Sequence, residues 1–164
     1  MQYDGYPEKQ FGYVTTGNFG GEICLLDGEL KVLFVPALNS STLEVKDGPK
    51  GLVYGGNPGG FLITIKNAPV IYHTGDTDLF ENMKSLGEFY KVDVMLICIG
   101  DKFTMGPKIA AIATKYVNPK IIIPMHYATF PVLTGTLDEF EKELIEHKIS
   151  GVLKKLKVGE KLRL

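Results

Sequence analysis

Three histidines are spread through the 164 residues, at positions 73, 126 and 147, so chemistry that needs imidazole has few places to sit. The first opens the run His73-Thr74-Gly75-Asp76-Thr77, which follows the apolar stretch Val70 to Tyr72. A carboxylate in a turn broken by Gly75 can ligate a metal, act as a base, or cap the following helix, and so can Thr77 in the last role. The second follows the apolar run Ile121 to Pro124 as Met125-His126-Tyr127. A lone histidine at a strand end is commonly a satisfied structural residue. An aspartate and a histidine at the same end of neighbouring strands, however, make a natural pair of zinc or iron ligands. Two ligands fall short of the three or four that zinc takes. His147 ends an amphipathic stretch, where a cation favours the helix dipole, and reads as structural. Other signals fail: Gly55 to Gly60 lacks the Lys-Ser/Thr of a phosphate loop and reads as a turn, Ser40 and Ser41 lack a nucleophile elbow, and Cys24 and Cys98 have no metal or redox spacing.

The elements that must position these residues are legible from pattern. Glu22 to Leu26 and Leu30 to Pro36 flank Asp27-Gly28 as a hairpin. Asn39 to Asn57 reads as loop, with Gly48-Pro49, Gly55-Gly56 and Asn57-Pro58 as turns. Phe61 to Ile65 and Val70 to His73 form a second hairpin around Lys66-Asn67-Ala68-Pro69. Leu79, Met83, Leu86 and Tyr90 then recur at helical spacing. Val92 to Ile99 is almost wholly apolar, as expected of a strand covered on both faces. Pro107 to Val117 reads as a helix with proline in its first turn, and Ile121 to Met125 as another buried strand. Thr136, with Glu139 three residues on, opens a capping box for a helix to about His147. Val152 to Leu156 and Lys161 to Leu164 read as a closing strand pair, with Lys154, Lys155, Lys157 and Lys161 on a solvated edge. Strands alternating with helices predict an α/β (α+β) chain, a mixed sheet with helices on one face.

Composition bounds the rest. The length suits a single domain, 1–164, with an irregular lead-in over 1–20 and the folded part over 21–164. Eighteen basic against 19 acidic residues give a net charge of −1, which offers no drive toward nucleic acid or an anionic membrane. No apolar run approaches the ~20 residues that span a bilayer. Cys24 and Cys98 both sit in apolar stretches and read as buried reduced thiols, which points to a cytoplasmic protein.

The run Tyr72-His73-Thr74-Gly75-Asp76-Thr77-Asp78-Leu79-Phe80 resembles the fourth metal motif of an uncharacterised branch of the metallo-β-lactamase superfamily, the metal-dependent hydrolases. Asn57-Pro58-Gly59-Gly60-Phe61, Asp93-Val94-Met95-Leu96, Ile99-Gly100, Phe103-Thr104-Met105 and Ile123 to Pro131 are similar to further motifs of that family, in the same order. The resemblance implies the C-terminal half of a four-layer αββα sandwich with its metal site between the halves. It implies that Asp76 bridges two metals, zinc or another divalent ion, and that His126 is the last histidine ligand. His73 and Asp93 would fix ligand orientation, and His73 would join Asp76 and His126 as the catalytic residues. A metal-bound hydroxide would attack an ester, amide or phosphoester. Pro36-Ala37-Leu38-Asn39-Ser40-Ser41 places Asn39 where the family has a histidine, which makes Asn39 a degenerate ligand. The family's opening His-x-His-x-Asp-His has no counterpart here. The expectation is therefore a hydrolase incomplete or inactive as an isolated chain, truncated if Met1 is not the true start. The alternative is a non-catalytic structural or interaction protein. A half-sandwich exposes its inner sheet face, so the chain is expected to form a homodimer or to pair with a complementing N-terminal half.

Overall fold

A computed structural model describes residues 16–44 and 51–164. The first fifteen residues of the expected lead-in and the Gly48-Pro49 turn lie outside the described residues; residues 16–20 belong to no strand or helix. Among the described residues nine strands and three α-helices follow: β1 (Glu22–Leu25), β2 (Leu30–Pro36), β3 (Thr42–Glu44), β4 (Leu52–Tyr54), β5 (Gly59–Ile65), β6 (Ile71–His73), α1 (Met83–Tyr90), β7 (Val94–Cys98), α2 (Pro107–Val117), β8 (Ile121–Met125), α3 (Leu137–Glu146) and β9 (Val152–Leu153). Seven strands form one mixed sheet in the order β1-β2-β5-β6-β7-β8-β9, and β3 pairs with β4 separately. The strands from β1 to β6 pair antiparallel, and β6 to β9 run parallel.

Both expected hairpins are present. The β1–β2 turn is tight because Leu26, Asp27 and Gly28 all take positive φ. Thr136 caps α3: its hydroxyl accepts from the Glu139 N–H at 3.3 Å and donates to the Glu139 carboxylate at 2.9 Å. Several expectations need correction. The segment read as loop contains β3 and β4, each of three residues and too short to show a period. Gly59 and Gly60, read as turn, open β5, because Gly60 lies so close to the β6 end that a Cβ would sit 2.6 Å from the His73 carbonyl oxygen. The closing strand pair does not form: β9 has two residues and pairs with β8, and Lys161 to Leu164 are irregular. Cys98 is buried, but Cys24 is exposed, since β1 is the edge strand of the sheet.

The register separates two faces. Leu33, Leu62, Tyr72, Met95, Ile122 and Leu153 lie in one cross-sheet row. They pack with Met83 of α1, Ala110 and Val117 of α2 and Phe140 and Leu144 of α3 into one core. The opposite face carries Val32, Ile63, Ile71, Val94 and Ile121 in one row and Phe34, Phe61, His73, Leu96 and Ile123 in the next. None of these ten residues enters the helix-covered core. Leu96, Ile121 and Ile123 are only half-buried on strands that parallel sheets ordinarily cover on both sides. The helices therefore lie on one face, as the pattern predicts, and the other face is apolar and, apart from the buried Val94, only partly covered among the described residues. No helix among these residues is long and apolar enough to cross a membrane.

Candidate metal centre

The parallel strands β6, β7 and β8 end together, and the loops beyond their carboxyl ends build the site, the usual place for ligands in such sheets. Asp76 sits three residues past β6. The turn that carries it folds tightly: Gly75 has φ +65°, and a Cβ there would meet the Gly59 carbonyl oxygen at 2.4 Å. His73 Nδ1 accepts from the Gly75 N–H at 3.1 Å. Thr77 then ties the turn to the end of β2, accepting from the Leu38 N–H at 2.9 Å and donating to the Asp78 carbonyl at 2.7 Å, while the Asp78 N–H donates to the Leu38 carbonyl. These bonds hold Asn39 beside Asp76. The capping alternative falls away, because α1 begins only at Met83 and neither Asp76 nor Thr77 caps it.

His126 follows β8 directly and has left-handed backbone, φ +54°. Its Nε2 lies 3.3 Å from Asp76 Oδ2. The His126 carbonyl is pressed against Gly100, where a Cβ would lie 2.1 Å away. Gly135, whose N–H donates to the Gly100 carbonyl, closes the other side. The His126 Nδ1 is buried and makes no hydrogen bond.

Asp76 and His126 share with Asn39 and Ser40 the polar side of a cleft of about 730 Å³. Its other wall is formed by Lys102, Phe103, Phe130, Pro131 and Val132. The three expected metal-site residues are thus brought together, though Asn39 turns its own amide oxygen to the Ser40 N–H at 2.8 Å. His73, expected as a catalytic residue, does not line this cleft. It stands on the uncovered sheet face and acts on the site only by shaping the Gly75 turn. Asp93 is a clear correction. It precedes β7, so the whole strand, roughly 15–20 Å at ~3.3 Å per residue, separates it from the site. There it accepts from the Val70 N–H at 2.8 Å and pairs with Lys120 at 2.6 Å. Lys120 first, then the Val70 N–H, hold its carboxyl below the usual range. His147 caps the end of α3 and faces Glu143 at 3.6 Å, a structural role as expected.

A tetrahedral ion about 2.1 Å from each donor holds two ligand atoms about 3.4 Å apart, close to the 3.3 Å between Asp76 Oδ2 and His126 Nε2. The pair fits a shared cation, but the donor set is incomplete: among the described residues no group of three or more His, Cys, Asp or Glu could hold one. Sequence reasoning missed Lys102, Phe103 and Phe130 as cleft residues. Their types are ordinary for loops, and only the fold places them opposite Asp76.

The chain is similar to several known proteins. The model of the beta-lactamase superfamily domain matches residues 25–126. A UPF0173 metal-dependent hydrolase of Thermodesulfovibrio yellowstonii is 69% identical over all 164 residues, which cover 61% of that protein. One of Anaeromyxobacter dehalogenans is 51% identical over 141 residues, 85% of this chain and 50% of that protein. The solved structure of Igni18, a metallo hydrolase from Ignicoccus hospitalis, superposes with a TM-score of 0.74 at 31% identity, over 93% of this chain and 61% of that one. The chain thus spans between half and three-fifths of the length of these relatives. With a strand-end Asp–His pair and a mixed sheet covered on one face, it belongs to the beta-lactamase superfamily domain family and has a metallo-β-lactamase-type fold.

Proposed function

We propose that the chain forms one wall of a metal-dependent hydrolase site, with Asp76 and His126 as ligands to a shared divalent cation, zinc by its donor chemistry. The observation that carries this reading is the 3.3 Å approach of Asp76 Oδ2 to His126 Nε2 at the carboxyl end of a parallel sheet. When bound, such an ion supplies a hydroxide nucleophile near neutral pH. The chain's own residues hold and orient. His73 and Thr77 fix the Asp76 turn, Gly100 fixes His126, and Phe103 and Phe130 form an aromatic wall on one side of the cleft. The missing donors come from polypeptide outside the described residues.

The uncovered sheet face supports a second part of the proposal, that the chain pairs with a second copy of itself or with a complementing half. Contiguous apolar surface beyond several hundred Å² is unusual on soluble monomers. The engagement of the Asn39 amide with Ser40 favours the rival reading, a non-catalytic interaction protein that keeps the scaffold.

Metal analysis of the purified chain separates the two. Retained zinc that disappears in His126→Ala and Asp76→Ala supports the hydrolase site. Metal-free protein whose melting temperature ignores added zinc supports the scaffold reading. Solution mass tests the pairing, and a stable dispersed monomer counts against it.

A further inference from the structure

The apolar side of the cleft is not uniform. Lys102 stands at its rim beside Phe103 and Phe130, which are 56% and 60% exposed, large aromatics that a folded chain ordinarily buries. Lys102 has no carboxylate within 4.0 Å among the described residues; its ammonium lies 5.8 Å from the Phe103 ring centroid. The nearest acid in sequence, Asp101, is engaged elsewhere. It accepts from the Thr134 hydroxyl at 2.6 Å, and that bond and the Lys102 N–H hold its carboxyl below the usual range. The backbone is also costly here. Asp101 and Lys102 take successive left-handed conformations, φ +64° and +55°, at roughly 1–2 kcal/mol per residue. The turn is held closed by the Asp101 N–H to the Met105 carbonyl at 3.1 Å and the Phe103 N–H to the Asp101 carbonyl at 2.6 Å. Strained backbone clusters where a surface is shaped for use, and His126 and Ala128 of the facing loop are left-handed too.

We propose that the Asp101–Phe103 turn is a substrate-recognition edge, in which the Lys102 ammonium takes a carboxylate or phosphate group of a molecule whose apolar body packs against Phe103 and Phe130. The proposal rests on the hydrolase reading in assigning the bound molecule as substrate. It names the class: an amphipathic anion whose charged end lies away from the bond that Asp76 and His126 serve. The Asp101 carboxylate engages the Thr134 hydroxyl and the Lys102 backbone N–H rather than the Lys102 ammonium, so that cation remains available to a ligand.

The test is a chemical-shift titration of the metal-free ¹⁵N-labelled chain, in chelator, with phenyl phosphate, benzoate and the neutral benzyl alcohol. Saturable shifts are expected at Lys102, Phe103 and the His126 loop, with the preferred anion binding at least fivefold more tightly than benzyl alcohol. Comparing phenyl phosphate with benzoate identifies which anion the site prefers. Lys102→Gln is expected to weaken the anions fivefold or more and leave benzyl alcohol unchanged; Phe103→Ala weakens all three. An unchanged amide spectrum away from the cleft shows that each variant folds. Equal anion affinity in wild type and Lys102→Gln, shifts mapping to another surface, or no saturable shift overturns the proposal. Because no metal takes part, failure here is distinct from failure of the metal site, which zinc retention reports.

Discussion

A single methyl group at Gly100 tests how the fold holds its histidine. The Cβ of Gly100→Ala would lie 2.1 Å from the His126 carbonyl oxygen and 3.1 Å from its Nδ1. Ordinary carbon–oxygen contacts begin near ~3.3 Å, so the His126 loop must retreat by about 1 Å. Gly135, whose Cβ position lies 1.9 Å from the Ile99 carbonyl, prevents the β7 end from yielding instead. Forced overpacking of this kind costs about 1–3 kcal/mol. For 164 residues unfolding entropy is about 0.34 kcal/mol/K, so the melting temperature should fall by roughly 3–9 °C. Metal distances tolerate only about 0.2 Å, so zinc affinity should drop tenfold or more. Gly28→Ala is the control. Its φ of +85° is strained for alanine, but nothing lies within 4 Å of the added carbon, so it should cost stability, by about 1 kcal/mol, with zinc affinity unchanged. Thermal circular dichroism and a zinc-competition titration read both quantities. A Gly100→Ala protein with wild-type melting and wild-type zinc affinity refutes the steric account of His126.

Other expectations concern groups away from the cleft. The Tyr72 hydroxyl is buried without a partner, and burial raises its phenol above the usual range; Tyr72→Phe should be neutral or stabilising by about 1 kcal/mol in urea, and a loss of that size contradicts the orphaned hydroxyl. Thr136→Ala removes the α3 cap and should cost about 1 kcal/mol, read as a lower urea midpoint. Asp93 has a depressed carboxyl, set first by Lys120 and then by the Val70 N–H. Its stabilisation is therefore present above the unfolded carboxyl value, near ~4, and is lost as pH falls through the folded one. Asp93→Asn should flatten the acid side of the stability profile and leave zinc affinity unaltered, because Asp93 lies at the far end of β7; a parallel loss of zinc would restore it to the site.

Elements fixed by local rules were legible before any coordinates. Pro107, the Thr136–Glu139 pair and the turn at Asp27-Gly28 announce their helices and hairpin because caps and turns act over three or four residues. The approach of Asp76 to His126 was foreseeable in part, since each follows an apolar strand and parallel strands end together, but the two strands are not neighbours as expected: β7 lies between β6 and β8. Non-local features were hidden. β3, β4 and β9 are two or three residues long and exist only by pairing. Asp93 falls within a motif-like run, yet the length of β7 carries it to the wrong end of the sheet. The first helical turn expected at Leu79 is instead pinned to Leu38 through Asp78, and sequence spacing carries no trace of that bond. Lys102 reaches the cleft only through a left-handed turn, which Asp101-Lys102 does not advertise as a glycine pair would.

The central claim is that Asp76 and His126 together hold a divalent ion. Titrating the ¹⁵N-labelled chain with substoichiometric Mn²⁺ maps that ion through paramagnetic broadening. The amides of Asn39, Asp76 and the His126 loop should broaden first, and either Asp76→Ala or His126→Ala should abolish the effect. Broadening centred on Asp93 and Lys120, or spread evenly over the acidic surface and indifferent to both substitutions, contradicts the claim.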